Sequence, residues 1–106
     1  MKLVDLVSEF RLGRSFEDFC ETLSLNAESE AIEIYAEEPV SIDSRLGFFA
    51  IEETGGRVRY LSNHVKYQNL FDFVYFIESR KSADAGRYPK DADLAKVLLS
   101  YALNDA

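Results

Sequence analysis

The sequence predicts an α+β fold in which a small antiparallel sheet packs against helices. Apolar residues recur at helical spacing near both ends of the chain, and they alternate with polar residues in its middle part. The predicted strands follow one another rather than alternating with helices, which favours antiparallel pairing. The predicted order is α-α-β-β-β-α-α, and the length of 106 residues indicates a single domain spanning residues 1–106.

Two short helices are predicted at the start of the chain. The first covers residues 2–12, where apolar side chains share one helical face, and it ends before Gly13. The second covers residues 16–25 and follows Ser15, a residue type that caps helix N-termini. A tight turn that contains glycine therefore joins the two helices as a hairpin.

The first predicted strand covers residues 30–37, in which apolar and polar residues alternate. Glu33, Tyr35 and Glu37 fall on one face of this strand, opposite the apolar face. The alternation predicts a half-buried strand with an acidic outer face that exposes Tyr35, and Pro39 ends it.

A β-hairpin is predicted next. Its arms are residues 46–53 and 57–62, and the paired residues Gly55 and Gly56 between them allow the positive φ angles of a tight turn. Both faces of the first arm carry apolar residues, which predicts a central position in the sheet.

Residues 65–81 fit two structures. Alternation of Phe71, Phe73 and Tyr75 fits a strand, whereas the uninterrupted length of the segment and the basic residues at its end favour a helix. The loop predicted for residues 83–89 is followed by a final amphipathic helix that Asp91 caps.

Charge is distributed unevenly along the chain. The formal net charge is −7, and from Glu17 to Glu53 every charged residue except Arg45 is acidic. A negative surface argues against nucleic acid and anionic membranes as direct partners, and it steers basic partners. We therefore predict a partner-binding face that is made of Glu28, Glu30, Glu33, Tyr35, Glu37, Glu38, Asp43, Glu52 and Glu53.

The sequence contains no strong catalytic, metal-binding or cofactor-binding motif. The single cysteine, Cys20, lies on the apolar face of the second helix, which indicates a small buried side chain with a raised pKa. The single histidine, His64, follows Asn63 at a predicted strand-to-helix junction. No catalytic residue, metal or cofactor is predicted. Acidic residues interrupt the apolar N-terminus, so we expect neither a signal peptide nor a membrane span but a cytoplasmic protein.

A family resemblance follows from this profile. The acids from Glu28 to Glu53, Tyr35 among them, and the Gly55-Gly56 hairpin make a compact acidic α+β domain that resembles bacterial immunity proteins of the contact-dependent inhibition and colicin kinds. The resemblance covers about half of the chain and carries no shared motif. It implies a cytoplasmic protein that binds a cognate toxin, often a basic nuclease, and blocks it.

The predicted function is therefore that of an immunity protein rather than an enzyme. Its acidic face would take the place of nucleic-acid phosphates in the cleft of a nuclease toxin. One alternative is an adaptor or regulatory subunit that binds a host protein. A less favoured alternative is a small enzyme that uses His64 with nearby carboxylates, and a small-molecule substrate is not expected.

Overall fold

Helices pack against one face of a four-stranded antiparallel sheet, so the predicted α+β class is confirmed. The structure, a computed structural model, describes residues 1–83 and 86–104, and two residues of the predicted loop at 83–89, Asp84 and Ala85, lie outside the described residues. The elements in chain order are α1 (Leu3–Arg11), α2 (Phe16–Thr22), β1 (Ile32–Glu37), β2 (Leu46–Ala50), α3 (Ile51–Thr54), β3 (Arg59–Ser62), β4 (Val65–Asp72), α4 (Phe73–Ser82) and α5 (Asp91–Asn104).

The strand order in the sheet is β2-β1-β4-β3. β1 is central and pairs with β2 on one side and with β4 on the other, while β3 pairs only with β4. The prediction that the first hairpin arm is central is therefore wrong, because β2 forms an edge of the sheet. Its two apolar faces have a different cause: Phe48 packs towards the helices and Phe49 towards an aromatic cluster on the opposite face.

The predicted hairpin between β2 and β3 does not form. The chain leaves β2 through the short helix α3. Gly55, which has a φ of 67°, ends that helix, and its N–H donates a hydrogen bond to the Ile51 carbonyl at 2.7 Å. Left-handed glycines suit helix C-termini as well as hairpin turns, so the glycine pair did not distinguish the two structures. β3 instead forms a hairpin with β4 across Asn63 and His64.

Residues 65–82 contain both of the structures that the sequence left open. β4 ends at Asp72, and α4 begins at Phe73 because the Asp72 side chain accepts a hydrogen bond from the Tyr75 N–H at 2.8 Å. This N-cap switches the backbone from strand to helix within an unbroken apolar run. Each of the two interpretations is right for about half of the segment.

The core lies between the helices and the inner face of the sheet. Four phenylalanines at its centre, Phe10, Phe19, Phe73 and Phe76, are nearly fully buried and contact one another at tilted or edge-to-face angles. Ring pairs of this geometry add roughly 0.5–1.5 kcal/mol each to the area term. This core positions β1, whose opposite face carries the residues predicted to bind a partner.

Local signals at the helix ends are confirmed in part. Ser15 caps α2 by accepting a hydrogen bond from the Asp18 N–H at 3.1 Å. Asp91 was predicted to cap α5 but is its first residue, and its carboxylate instead accepts from Arg11 at 3.0 Å. Arg11 also donates to the Tyr88 carbonyl, so this guanidinium fastens the segment before α5 to α1.

Candidate functional site

The outer face of β1 carries an aromatic cluster, which we define as Tyr35, Phe49, Tyr60 and Tyr67. Tyr35 is completely buried within it and was wrongly predicted to be an exposed contact residue. Its ring lies 5.5 Å from Phe49 and 6.2 Å from Tyr60, and its hydroxyl donates to the Arg57 carbonyl at 2.6 Å. Strand alternation correctly placed Tyr35 on the outer face of β1, but it did not predict that other side chains cover this face. Side chains of β2 and β3 meet over β1 only because the sheet curls.

Contact between side chains from opposite edges of the sheet shows that the sheet is curled. Phe49 of β2 and Tyr60 of β3 have ring centroids 5.1 Å apart, although β1 and β4 lie between their strands. Strands in a flat sheet stand about 4.8 Å apart, so strands at opposite edges of four would be too distant for such contact. The curled sheet therefore buries a second apolar layer where a solvated acidic face was predicted.

Glu33 is held by hydrogen bonds beside this cluster. Its two carboxylate oxygens accept from the Asn69 amide at 2.9 Å and from the Thr54 hydroxyl at 3.3 Å. Thr54 is nearly fully buried, and its hydroxyl also accepts from the Gly56 N–H. Glu33 therefore links β1, β4 and α3, and its carboxylate is a structural group rather than a free surface charge.

Glu52 joins α3 to the chain before β1. Its carboxylate accepts from the Ser29 hydroxyl at 2.5 Å and from the Glu30 N–H at 3.0 Å. The Ser29 bond and then the Glu30 bond lower the pKa of Glu52, since both stabilise its charged form. Glu52 is exposed despite these bonds, so its charge still faces solvent.

Four exposed acids lie on two segments that Glu52 joins, the turn before β1 and α3, and we call the surface formed by Glu28, Glu30, Glu52 and Glu53 the acidic end. Glu53 accepts from the Tyr60 hydroxyl at 3.1 Å, which contributes to the raised pKa of Tyr60 after the larger effect of desolvation. Among residues 1–83 and 86–104, none of the four makes an ion pair with lysine or arginine.

The other predicted acids lie at the opposite end of β1, among cations. Glu38 has an oxygen 3.3 Å from Arg59 Nε, and Asp43 has one 3.4 Å from Lys2 Nζ. Glu37 is half-buried beside Tyr67, whose pKa is raised by burial and then by this carboxylate. The structure thus divides the predicted face into two ends, and among the described residues ion pairs with lysine or arginine are found at only one of them.

His64 occupies the tight turn between β3 and β4, not the strand-to-helix junction that the sequence indicated. Its φ is 66°, its side chain is exposed, and within the described residues the imidazole makes no hydrogen bond or ion pair. Cys20 is buried on α2, as predicted, and burial raises its pKa, with Glu17 as a smaller cause.

In residues 1–83 and 86–104, no group of three histidine, cysteine or acidic side chains is arranged to hold a metal ion. In the same ranges, no helix combines the length and apolar character that crossing a bilayer requires.

The fold and this site define the chain as a small α+β domain with an acidic end. No family model, no curated protein and no solved structure matches it.

Proposed function

We propose that the protein is an immunity-type inhibitor that binds a basic partner through its acidic end. The observation that carries the proposal is the exposure of Glu28, Glu30, Glu52 and Glu53 on two joined segments, without ion pairs among the described residues. Negative charge concentrated on one surface accelerates encounter with a basic surface and favours that partner over acidic ones.

The partner that fits this chemistry best is a nuclease toxin with a basic, phosphate-binding cleft. The acidic end has several carboxylates on two connected segments, the turn before β1 and the helix α3, which Glu52 joins. The proposed cell is bacterial, the proposed site of action is the cytoplasm, and the toxin would belong to a contact-dependent inhibition or colicin-like system.

A growth assay tests the proposal. The protein is co-expressed with a basic nuclease toxin encoded beside its own gene, and the expected result is rescue of growth. Rescue should weaken in the variants Glu28→Lys and Glu30→Lys, whose carboxylates accept no hydrogen bond in the described residues. The control Glu78→Lys reverses an exposed charge on α4 and should rescue fully.

Association kinetics provide the second readout. Each reversal at the acidic end should slow association several-fold at low salt and less at high salt, because screening removes long-range attraction. Absence of rescue together with absence of binding contradicts the proposal. Stable binding to a non-toxin host protein, with toxin action unaffected, would indicate the adaptor function instead.

A further inference from the structure

The outer edge of β3 leaves backbone groups unpaired among the described residues. In an antiparallel ladder, alternate residues direct their backbone groups to the same neighbour. The Asn69 N–H donates to the Val58 carbonyl at 2.7 Å, so alternate positions after Val58 also face β4. The backbone groups of Arg59 and Leu61 therefore point away from the sheet, and no strand of the described residues pairs with that side.

The other edge of the sheet is covered at its two ends, and the backbone of Phe48 in the middle has no hydrogen-bond partner among the described residues. On the outer side of β2, the Leu46 N–H donates to the Met1 carbonyl at 2.8 Å, and α3 follows the strand directly. Unpaired edges template pairing with further strands, and proteins usually protect them. β3 has no such cover along Arg59 and Leu61 among the described residues, and the Leu61 side chain is 63% exposed.

A largely apolar groove is lined by Val58, the residue before β3, and by residues of the C-terminal turn of α5. It has a volume of about 330 Å³ and lies between β4 and α5. Its walls include Val58, Tyr75, Tyr101 and Leu103, all large apolar side chains that remain exposed. A strand paired with β3 could therefore bury side chains in a cavity that the sheet leaves unfilled.

The positive charge near β3 indicates which kind of segment would bind at its outer edge. From Arg57 to Phe71 the sequence contains three cations, Arg57, Arg59 and Lys66, and no acidic residue. Glu38 offsets part of this charge through Arg59, whose side chain nevertheless remains 77% exposed. A second copy of the chain would bring like-charged hairpins together, whereas an acidic segment would find complementary charge.

We propose that the outer edge of β3 binds an extended segment of a partner protein that carries acidic and apolar side chains. The backbone of the segment would pair with Arg59 and Leu61, its apolar side chains would enter the groove, and its carboxylates would meet Arg57 and Arg59. This mode is β-strand addition, in which main-chain bonds supply affinity and side-chain pockets supply specificity.

Synthetic peptides and amide NMR spectra of the whole chain test the proposal. The probe is a blocked peptide of alternating glutamate and valine, compared with a lysine–valine peptide and with a glutamate–valine peptide that is N-methylated at alternate residues. We expect the first to shift the amide signals of Val58–Ser62 and of the groove. The other two should bind at least about tenfold more weakly, since one reverses the charge and the other removes backbone donors.

Variants of the protein test which residues contribute to binding of the peptide. Arg59→Glu should weaken binding of the glutamate–valine peptide at least about tenfold, whereas Arg87→Glu, an exposed arginine outside the hairpin, should leave the affinity unchanged. The proposal is overturned if the lysine or N-methylated peptide binds equally well, or if no β3 amide responds. It is also overturned if sedimentation and hydrogen exchange show that the free protein is a dimer paired through β3.

Discussion

At the scale of single residues, Gly47 determines how closely the aromatic cluster closes over β1. A Cβ atom at this position would lie 2.7 Å from Phe49 Cε2 and 2.8 Å from Tyr67 Cε1. Both atoms belong to rings that pack against each other at a centroid distance of 5.2 Å. The missing side chain is therefore what allows two aromatic rings to meet over the strand.

Gly47→Ala should destabilise the protein by about 1–3 kcal/mol, the usual effect of forcing extra atoms into packed surroundings. Gly86→Ala is the matched control, because a Cβ there meets no atom within 4 Å. Urea denaturation monitored by circular dichroism measures both changes. Equal stabilities for the two variants would contradict the packing of this cluster.

Glu52 should make stability depend on pH in the acidic range. Hydrogen bonds from Ser29 and Glu30 lower its folded-state pKa below the ordinary value of 4.5. A lowered pKa contributes stability that is present above the unfolded-state value and is lost as pH falls through the folded-state value. Glu52→Gln and Ser29→Ala should therefore each lose less stability than the wild type between neutral pH and the acidic range.

Denaturation curves at a series of pH values measure this difference. Glu30→Gln serves as the control, because it removes a nearby negative charge but no hydrogen bond. The Glu30 carboxylate accepts no hydrogen bond in the described residues. The hydrogen bonds of Glu52 would be without thermodynamic effect if Glu52→Gln and the wild type lost stability in parallel.

At the scale of elements, the β3–β4 hairpin depends on two residues with left-handed backbone. Asn63 has a φ of 49° and His64 a φ of 66°, and the pair connects two strands that pair from Ser62 and Val65 onwards. Two-residue hairpin turns with both φ angles positive favour asparagine followed by glycine. His64 therefore occupies a position where its side chain adds strain to the turn.

His64→Gly should stabilise the protein by up to about 1 kcal/mol, because glycine adopts this backbone without steric cost. Gly55→Ala is the reciprocal control and should destabilise it, since Gly55 has a φ of 67° at the end of α3. Thermal denaturation of both variants measures these effects. A destabilised His64→Gly variant would mean that the imidazole makes a contribution that its exposed position does not indicate.

At the scale of the whole molecule, charge is segregated rather than merely abundant. The acidic end has no ion pair among the described residues, whereas acids at the opposite end of β1 pair with cations, Asp43 with Lys2 and Glu38 with Arg59. Exposed ion pairs contribute little to stability, so mutual repulsion at the acidic end should be the larger electrostatic effect.

Sodium chloride should therefore raise the free energy of unfolding between about 10 mM and about 150 mM, where the Debye length falls from ~30 Å to ~8 Å. The variant Glu30→Gln should show a weaker salt effect than the wild type, whereas Glu78→Gln on α4 should respond like the wild type. A decrease of stability with salt would indicate that attractive ion pairs outweigh the repulsion.

The sequence alone predicted the features that depend on neighbouring residues. The spacing of Leu3, Leu6 and Phe10 predicted α1, Ser15 predicted the N-terminus of α2, and alternation predicted β1, all because these signals act within a few residues. The sequence also located the excess of acid between Glu17 and Glu53. From these local and compositional signals the α+β class followed.

Tertiary structure decided which side chains the predicted face exposes. The burial of Tyr35, the bonds that hold Glu33 and the pairing of Glu38 with Arg59 all join residues more than twenty positions apart. Tertiary structure also decided the strand order. The sequence predicted that β2 and β3 pair with each other, whereas the sheet places them at opposite edges. Alternation assigns a residue to a face of its strand, but only the curl of the sheet determines whether that face meets water or another strand.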